Sequence, residues 1–484
     1  MSSNKKYWKS EAELSANDAM IETLKQNEFV EQIPTGEFLS DKQTLATSNT
    51  NRRDFLKYVG FSTAAASLAA CEGPVIKSIP YVVQPEQIIP GVANFYATTI
   101  ANGFDFASIL VKTREGRPIK VENNKDAQVK GTANARVQAS ILSLYDSARL
   151  QGPLFNGAPS EWSDLDAAVV SALANAKASG KKVVFLTPTY ASPSMSKLVA
   201  EFAQGQDQVS HVVYDAISES AALDAFEAVT GERALADYHL EKASVIVSFG
   251  ADFLGDWQGG GFDAGYAKGR IPSAGQMSQH FQFESNMTLS GAAADKRVPS
   301  NSAQQAHALA ALYEIVTTGA TSVALPENIM AAVKTAAKAV VKAGDNAVVL
   351  TGIDSVEAQS LVLDLNASLE SVAFDMEAPR YVRGGSDKAL QSLVAEMSAG
   401  GVGLLVIDGV NPVYSLPNAA EFKAALSNVG TTVAFSTMPN ETTASVQWVG
   451  AASHYLESWG DVAVKKGHYS LTQPTIKELF DTRQ

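Results

Sequence analysis

The sequence predicts an α/β protein in which two Rossmann-like parallel-sheet units follow a small N-terminal β-rich segment. Three observations carry that expectation. Short continuous apolar runs such as "KKVVFLTPTY", "ASVIVSFGADF", "NAVVLTGID" and "VGLLVIDGVNP" recur through the second two-thirds of the chain; unbroken Val/Ile/Leu runs of this length mark strands buried on both faces of a parallel sheet. Helix-compatible stretches such as "PSMSKLVAEFAQ" and "DKALQSLVAEMSAG" separate them, as crossover connections require. Ahead of both, "FASILVKTREGRPIKVENN" alternates apolar and polar residues around Glu115-Gly116, the pattern of a β-hairpin.

Composition narrows the function classes. The chain has 484 residues, 46% of them hydrophobic, enough to bury more than one core. With 38 Lys+Arg against 51 Asp+Glu the formal charge is −13. No basic surface is available to neutralise phosphates, so a nucleic-acid partner is not expected. There is a single Cys, which excludes an intrachain disulfide and a cluster held by four thiolates of this chain. The six histidines, His211, His239, His280, His307, His454 and His468, show no metal-ligand spacing. The sequence therefore predicts no metal site and no catalytic residue.

The first seventy residues read as an address. "NRRDFLKYVGFSTAAASLAAC" has paired arginines, Arg52 and Arg53, then a mild apolar run of small residues, the order of a twin-arginine export signal. That run is too short and polar for a spanning helix, which takes about 20 apolar residues. It ends Leu68-Ala69-Ala70-Cys71, which resembles a lipobox, with Cys71 as the lipidated residue. The extension before the arginines, with Tyr7 and Trp8, is longer than export requires. The expected organisation is 1–70, signal region; 71–160, a Pro-rich arm and a degenerate cluster domain; 161–330, the first α/β unit; and 331–484, the second. In the arm, Pro74, Pro80, Pro85 and Pro90 favour an extended segment running on to Thr99. In open α/β sheets ligands sit at the carboxyl ends of strands, here near Gly250-Ala251-Asp252 and Asp408-Gly409-Val410-Asn411-Pro412.

"GTANARVQASILSLYDSARLQGPL" places Asn134 before a run with apolar residues at Val137, Ile141, Leu142, Leu144 and Tyr145, the stripe of an amphipathic helix that Asn134 would cap. This stretch is similar to one in the large subunits of molybdopterin oxidoreductases. So are "EGRPIKVENNKD", "VSFGADFLGDW", "ESNMTLSGAAADKRVP", "GVNPVYSLP" and "HYLESWGDVAVKKGHYSLTQPTIKELFDTRQ". Together they resemble the complex iron–sulfur molybdoenzyme family, and more closely the iron–sulfur subunit of alternative complex III, over almost the whole body. The resemblance implies a molybdopterin oxidoreductase-like fold, and places the last cluster cysteine of catalytic relatives at Asn134.

The departures are as informative. An amide is a poor iron ligand beside a thiolate, and "FYATTIANGFDFASILV" supplies none of the earlier cysteines. The first nucleotide-type turn reads Gly250-Ala251-Asp252-Phe253 where catalytic relatives often have Gly-x-Asn-Pro, which sets a carboxylate near an anionic pyrophosphate. The second, Gly409-Val410-Asn411-Pro412, keeps the form, making Gly409, Asn411 and Pro412 weak cofactor-binding candidates, although Gly and Asn-Pro also form plain turns. Glu284, Asp295, Lys296 and Arg297 form a charged group, and His454, Glu457 and Asp461 have acid/base residue types, with nothing in sequence to show mutual geometry. In the family a β-rich domain, and in alternative complex III a ferredoxin-like segment, follows the point where this sequence stops. Either a split gene or an N-terminal portion is expected.

The reading these features favour is a structural, catalytically silent subunit of a quinol-oxidising complex on the periplasmic face of the bacterial inner membrane, lipid-anchored after export. Its implied partners are membrane subunits that bind quinol, a multihaem cytochrome c subunit and an iron–sulfur domain. Iron–sulfur clusters and haem c would reside in partner chains or a further C-terminal region, with no cofactor in this chain. Two alternatives stand beside it: an active molybdopterin oxidoreductase subunit completed by a separate C-terminal polypeptide, and a stand-alone periplasmic binding lipoprotein.

Overall fold

The computed structural model describes residue 89 and residues 91–127, 133–204, 208–272, 275 and 277–484, all within one unit, Pro80–Gln484. Arg52, Arg53 and Cys71 lie outside the described residues. The expected hairpin forms: Phe106–Arg114 pairs antiparallel with Arg117–Asn123, and Glu115 and Gly116 take φ of 45° and 76° at its turn. A type I′ connection needs two such positive values. A third strand, Asn94–Ala101, lies on the other side of Phe106–Arg114. The Pro-rich arm therefore does not extend to Thr99: beyond Pro90 the Pro-free "NFYATTIA" has the aromatic and β-branched content of a strand and takes the free sheet edge.

Behind this sheet the helix Ala135–Leu144 packs through Val137, Ile141 and Leu144, which join Ile100, Ile109, Val111 and Val121 in a small core. Leu142, expected on the same stripe, is 70% exposed. At 100° per residue it stands about 140° round the helix from Val137.

Two parallel sheets form the body. The larger orders its strands Ala158–Pro159, Leu154–Phe155, Trp448–Ala451, Thr431–Ser436, Val402–Asp408, Lys182–Thr187 and Val209–Val213. The five from Trp448–Ala451 onward are parallel, and the short Leu154–Phe155 runs antiparallel. The smaller orders Lys296–Pro299, Gln279–Glu284, Val245–Phe249 and Ala347–Thr351, all parallel. The helices Trp162–Ser179, Asp387–Ser398 and Ala419–Leu426 bury apolar faces in the core of the first. Ser302–Thr318 and Glu327–Ala343 do so on the second.

A boundary at residue 330 does not separate these sheets. The larger takes strands from both sides of it, and the smaller takes Ala347–Thr351 from beyond it. The chain leaves the first sheet after Val213, builds the second, and returns at Val402. A fourth sheet, antiparallel, carries Leu235–Tyr238, Phe374–Arg380, Gly460–Lys465 and His468–Thr472. The apolar run "SVAFDM", of the kind that reads as a parallel strand, feeds this antiparallel sheet instead: Phe374 opposes Tyr238 in antiparallel register.

Candidate functional site

Ligands of open α/β sheets sit where strand order reverses, outside the carboxyl ends. In the larger sheet that point lies between Lys182–Thr187 and Val402–Asp408. It is filled by the chain itself. Tyr190 Oη donates to Asp408 Oδ2 at 2.5 Å. Burial pushes both groups up, and for the carboxyl the Tyr190 hydrogen bond partly offsets this. A Cβ on Gly103 would stand 2.4 Å from Pro188 Cβ, so the first turn of the N-terminal sheet rests directly on the crevice. In the smaller sheet the switch lies between Val245–Phe249 and Ala347–Thr351. There the two backbones touch, a Cβ on Gly352 falling 2.6 Å from the Gly250 carbonyl oxygen.

Around both crevices the chain's own carboxylates take the donors that would receive an anion. Asp215, 5% exposed, accepts from the Thr189 N–H at 3.2 Å, the Thr189 hydroxyl at 2.7 Å, and the Gly384 and Gly385 N–H groups at 3.0 and 2.9 Å. Asp252 accepts from Ser290 N–H at 2.9 Å and Ser290 Oγ at 2.7 Å. Asp461 accepts from Ser194 N–H at 3.1 Å and from the Ser192 and Ser194 hydroxyls. Each contact is a charge-assisted bond, the stronger kind.

At the degenerate cluster position, Asn134 is the N-cap of Ala135–Leu144: its Oδ1 accepts the Val137 N–H at 2.9 Å. Its Nδ2 donates to Asp105 Oδ1 at 2.7 Å. Asp105 also accepts from Arg136 Nε and Nη2 at 3.0 and 2.8 Å, and Arg136 reaches across to both Asp256 oxygens at 2.9 and 2.7 Å. Two guanidiniums lie over the Phe104 ring, Arg136 at 4.8 Å and the buried Arg383 at 4.9 Å from its centroid, a cation–π arrangement. Glu219, pushed up to about 7 by burial against the Gln258 N–H and the charge of Arg383, completes the group. The result is a latch tying the N-terminal sheet to the segments carrying Asp256 and Arg383. Only Asn134 was legible in sequence. Asp105, Arg136, Asp256 and Arg383 were not, because no local pattern joins residues this far apart.

The remaining candidates divide. Gly409, at φ 64°, donates its N–H to the Phe435 carbonyl. Asn411 Oδ1 accepts from the Thr442 N–H and hydroxyl, and Nδ2 donates to Glu441 at 2.7 Å. Pro412 is buried at the start of the short helix Pro412–Ser415. All three are engaged in a turn. The charged group at 284–297 splits: Glu284 pairs with Arg297 at 2.5 Å, Asp295 with Arg270 at 2.6 Å, and Lys296 is exposed. His454 and Glu457 are brought together, the His454 N–H donating to Glu457 Oε2 at 2.9 Å. Glu457, however, is committed to Arg149 at 2.7 Å, both side chains fully buried, while Asp461 faces the serines. Among the described residues no group of three or more His, Cys, Asp or Glu is placed to hold a metal ion, and no helix is long and apolar enough to cross a membrane.

This architecture has the α/β fold class expected of molybdopterin oxidoreductase-like proteins. Its likeness among solved structures includes acetylene hydratase from Pelobacter acetylenicus, with a TM-score of 0.63 and 10% identity, covering 80% of this chain and 67% of that one. In sequence the chain is 25% identical, over 496 aligned residues, to the "menaquinone reductase, molybdopterin-binding-like subunit" of Nitratidesulfovibrio vulgaris, spanning 90% of this chain and 70% of the relative. No family model matches the chain. A pterin dinucleotide, the group the fold family implies, presents a pyrophosphate and requires free N–H donors or cations at the strand ends. With the crevices filled and Asp215, Asp252 and Asp461 on the nearby donors, the residues present do not fit that group.

Proposed function

We propose that the chain is a structural, catalytically silent subunit of a membrane-bound, quinone-linked electron-transfer complex of the alternative complex III type. The observation that carries this reading is the filling of both switch-point crevices by the chain's own side chains and backbone. The similar subunit of a menaquinone reductase supports membership of a quinone-linked assembly, and the family resemblance supplies the quinol-oxidising direction. The subunit then organises neighbouring carriers: membrane subunits that bind quinol, a multihaem cytochrome c subunit and an iron–sulfur domain. Twin-arginine export through Arg52 and Arg53, with lipidation at Cys71, would place it on the periplasmic face.

Elemental analysis of the complex purified from native membranes tests the silent role. Molybdenum and tungsten should be far below one atom per chain. A value near one would overturn the reading in favour of an active molybdopterin subunit, and purification without haem- or cluster-bearing partners would favour a stand-alone lipoprotein. Cys71→Ala tests the anchor: the exported variant should wash from membranes in high salt while the wild type stays.

A further inference from the structure

A solvent-open cavity of about 310 Å³ lies where the N-terminal sheet meets the antiparallel sheet, closed on its third side by the loop Gly259–Gly261 and the segment 262–268. That volume is at the lower end of small-molecule sites, roughly 300–1,000 Å³. On a chain of net charge −13 its lining is unusual: Lys268, Arg380 and Lys465 stand against Asp237 and Glu241, three cations to two carboxylates.

The pairing of those groups leaves donors over. Lys465 Nζ takes up Asp237 at 2.6 Å and also lies 3.6 Å from Asp375. Arg380 is fixed by three contacts: Nη2 donates to the Gly260 carbonyl at 2.8 Å, the guanidinium lies 4.6 Å from the Phe262 ring centroid, and Nε is 3.9 Å from Asp237. Its Nη1 is buried and makes no hydrogen bond to the protein, and the same holds for His468 Nδ1. Buried nitrogens in this state are rare and costly in native proteins. Lys268 forms no ion pair among the described residues. The lining also includes the apolar surfaces of Phe106, Tyr238 and Val464.

We propose that this cavity binds a small organic anion, its phosphate or carboxylate head between Arg380 and Lys268 and its short apolar body against Phe106 and Val464. A guanidinium held in place and lining the cavity, with one nitrogen lacking a protein partner, offers charge and directed donors to an oxyanion once that nitrogen turns towards it, while Lys268 adds a mobile charge at the rim. The site shares no lining residue with the contacts that fill the crevices and goes beyond the scaffold role, giving the subunit a ligand of its own.

Calorimetric titration of the purified full-length chain with phenyl phosphate, benzoate and inorganic phosphate tests this. Phenyl phosphate or benzoate should saturate the wild type and bind more tightly than inorganic phosphate. Saturation by phenyl phosphate alone assigns a phosphate head, and saturation by both assigns a general oxyanion site; either supports the proposal. Arg380→Gln should weaken binding tenfold or more. Lys268→Gln, at an exposed position where folding is not at stake, should weaken it about threefold, and Arg483→Gln, outside the cavity, should leave it unchanged. If Arg380→Gln fails to fold, Lys268→Gln decides. Lack of saturable binding to the wild type at about 10 mM ligand, or equal affinity in Lys268→Gln and wild type, overturns the proposal.

Discussion

Replacing Asn134 should cost more than the loss of an ordinary helix cap, because its amide bonds in two directions. Oδ1 caps the helix through Val137 N–H, and Nδ2 donates to Asp105, which is 6% exposed. Cap loss costs about 1 kcal/mol, and a hydrogen bond to a charged group contributes about 1.5–3 kcal/mol. Asp105 keeps its two bonds from Arg136, so the lower end applies. Asn134→Ala should therefore destabilise by about 2–3 kcal/mol. Asn134→Ser retains a capping oxygen and loses the Asp105 bond, so it should fall between the variant and wild type. Asn134→Asp sets a second carboxylate beside Asp105. That raises the pKa of the pair in the folded state, so relative to wild type its deficit should grow as pH rises through the raised value and shrink on acidification. Urea unfolding at 25 °C, with unchanged m-values, reads all three. A loss below about 0.5 kcal/mol for Asn134→Ala would refute the cap. Asn134→Ser as stable as wild type would refute the Asp105 contribution.

Three further outcomes follow from the same contacts. Asp215→Ala strips the acceptor from three backbone N–H groups, those of Thr189, Gly384 and Gly385. It should cost at least about 3 kcal/mol, and formate should restore part of the lost melting temperature; no rescue would count against an anion-shaped hollow. Breaking the fully buried Arg149–Glu457 pair by Glu457→Gln should cost about 3–5 kcal/mol, while a double change to apolar residues should cost less than the sum of the singles in a double-mutant cycle. Burial pushes His280 and His454 down to about 4, the charge of Arg149 adding to it at His454. The unfolded chain, near the ordinary histidine value of 6.5, then binds more protons between pH 6.5 and 4, so stability should fall as pH falls through that window. The slope is at most about 1.4 kcal/mol per pH unit for each histidine, and a melting temperature constant from pH 7 to 5 would contradict it.

Local features were legible in the sequence by itself. The Val/Ile/Leu runs at 182–187, 245–249, 347–351, 402–408 and 431–436 are parallel strands, since a strand covered on both faces must be apolar at every position. Glu115-Gly116 turns the hairpin and Asn134 caps its helix, because both depend on residues within three or four positions along the chain. The strand Gln279–Glu284 was missed for the converse reason: its buried His280, Gln282 and Glu284 read as polar, and only the hydrogen bonds from Tyr266 through His280 and Gln282 to Glu284 make that face tolerable inside.

Tertiary structure alone decided how strands were shared between sheets and which partner each charge took. Nothing in the run at Val402–Asp408 says that it returns beside Lys182–Thr187, because a strand's backbone donors and acceptors are the same whatever their partner. Asp215 meets Gly385, Arg149 meets Glu457 and Asp408 meets Tyr190 across 170, 308 and 218 residues. The Asp408–Tyr190 contact fills the crevice of the larger sheet that the strand-end motif had marked as open to a ligand. A sequence specifies which groups must find partners, since burying them alone is costly, while the partner itself is chosen by the packing that brings distant segments within hydrogen-bonding distance.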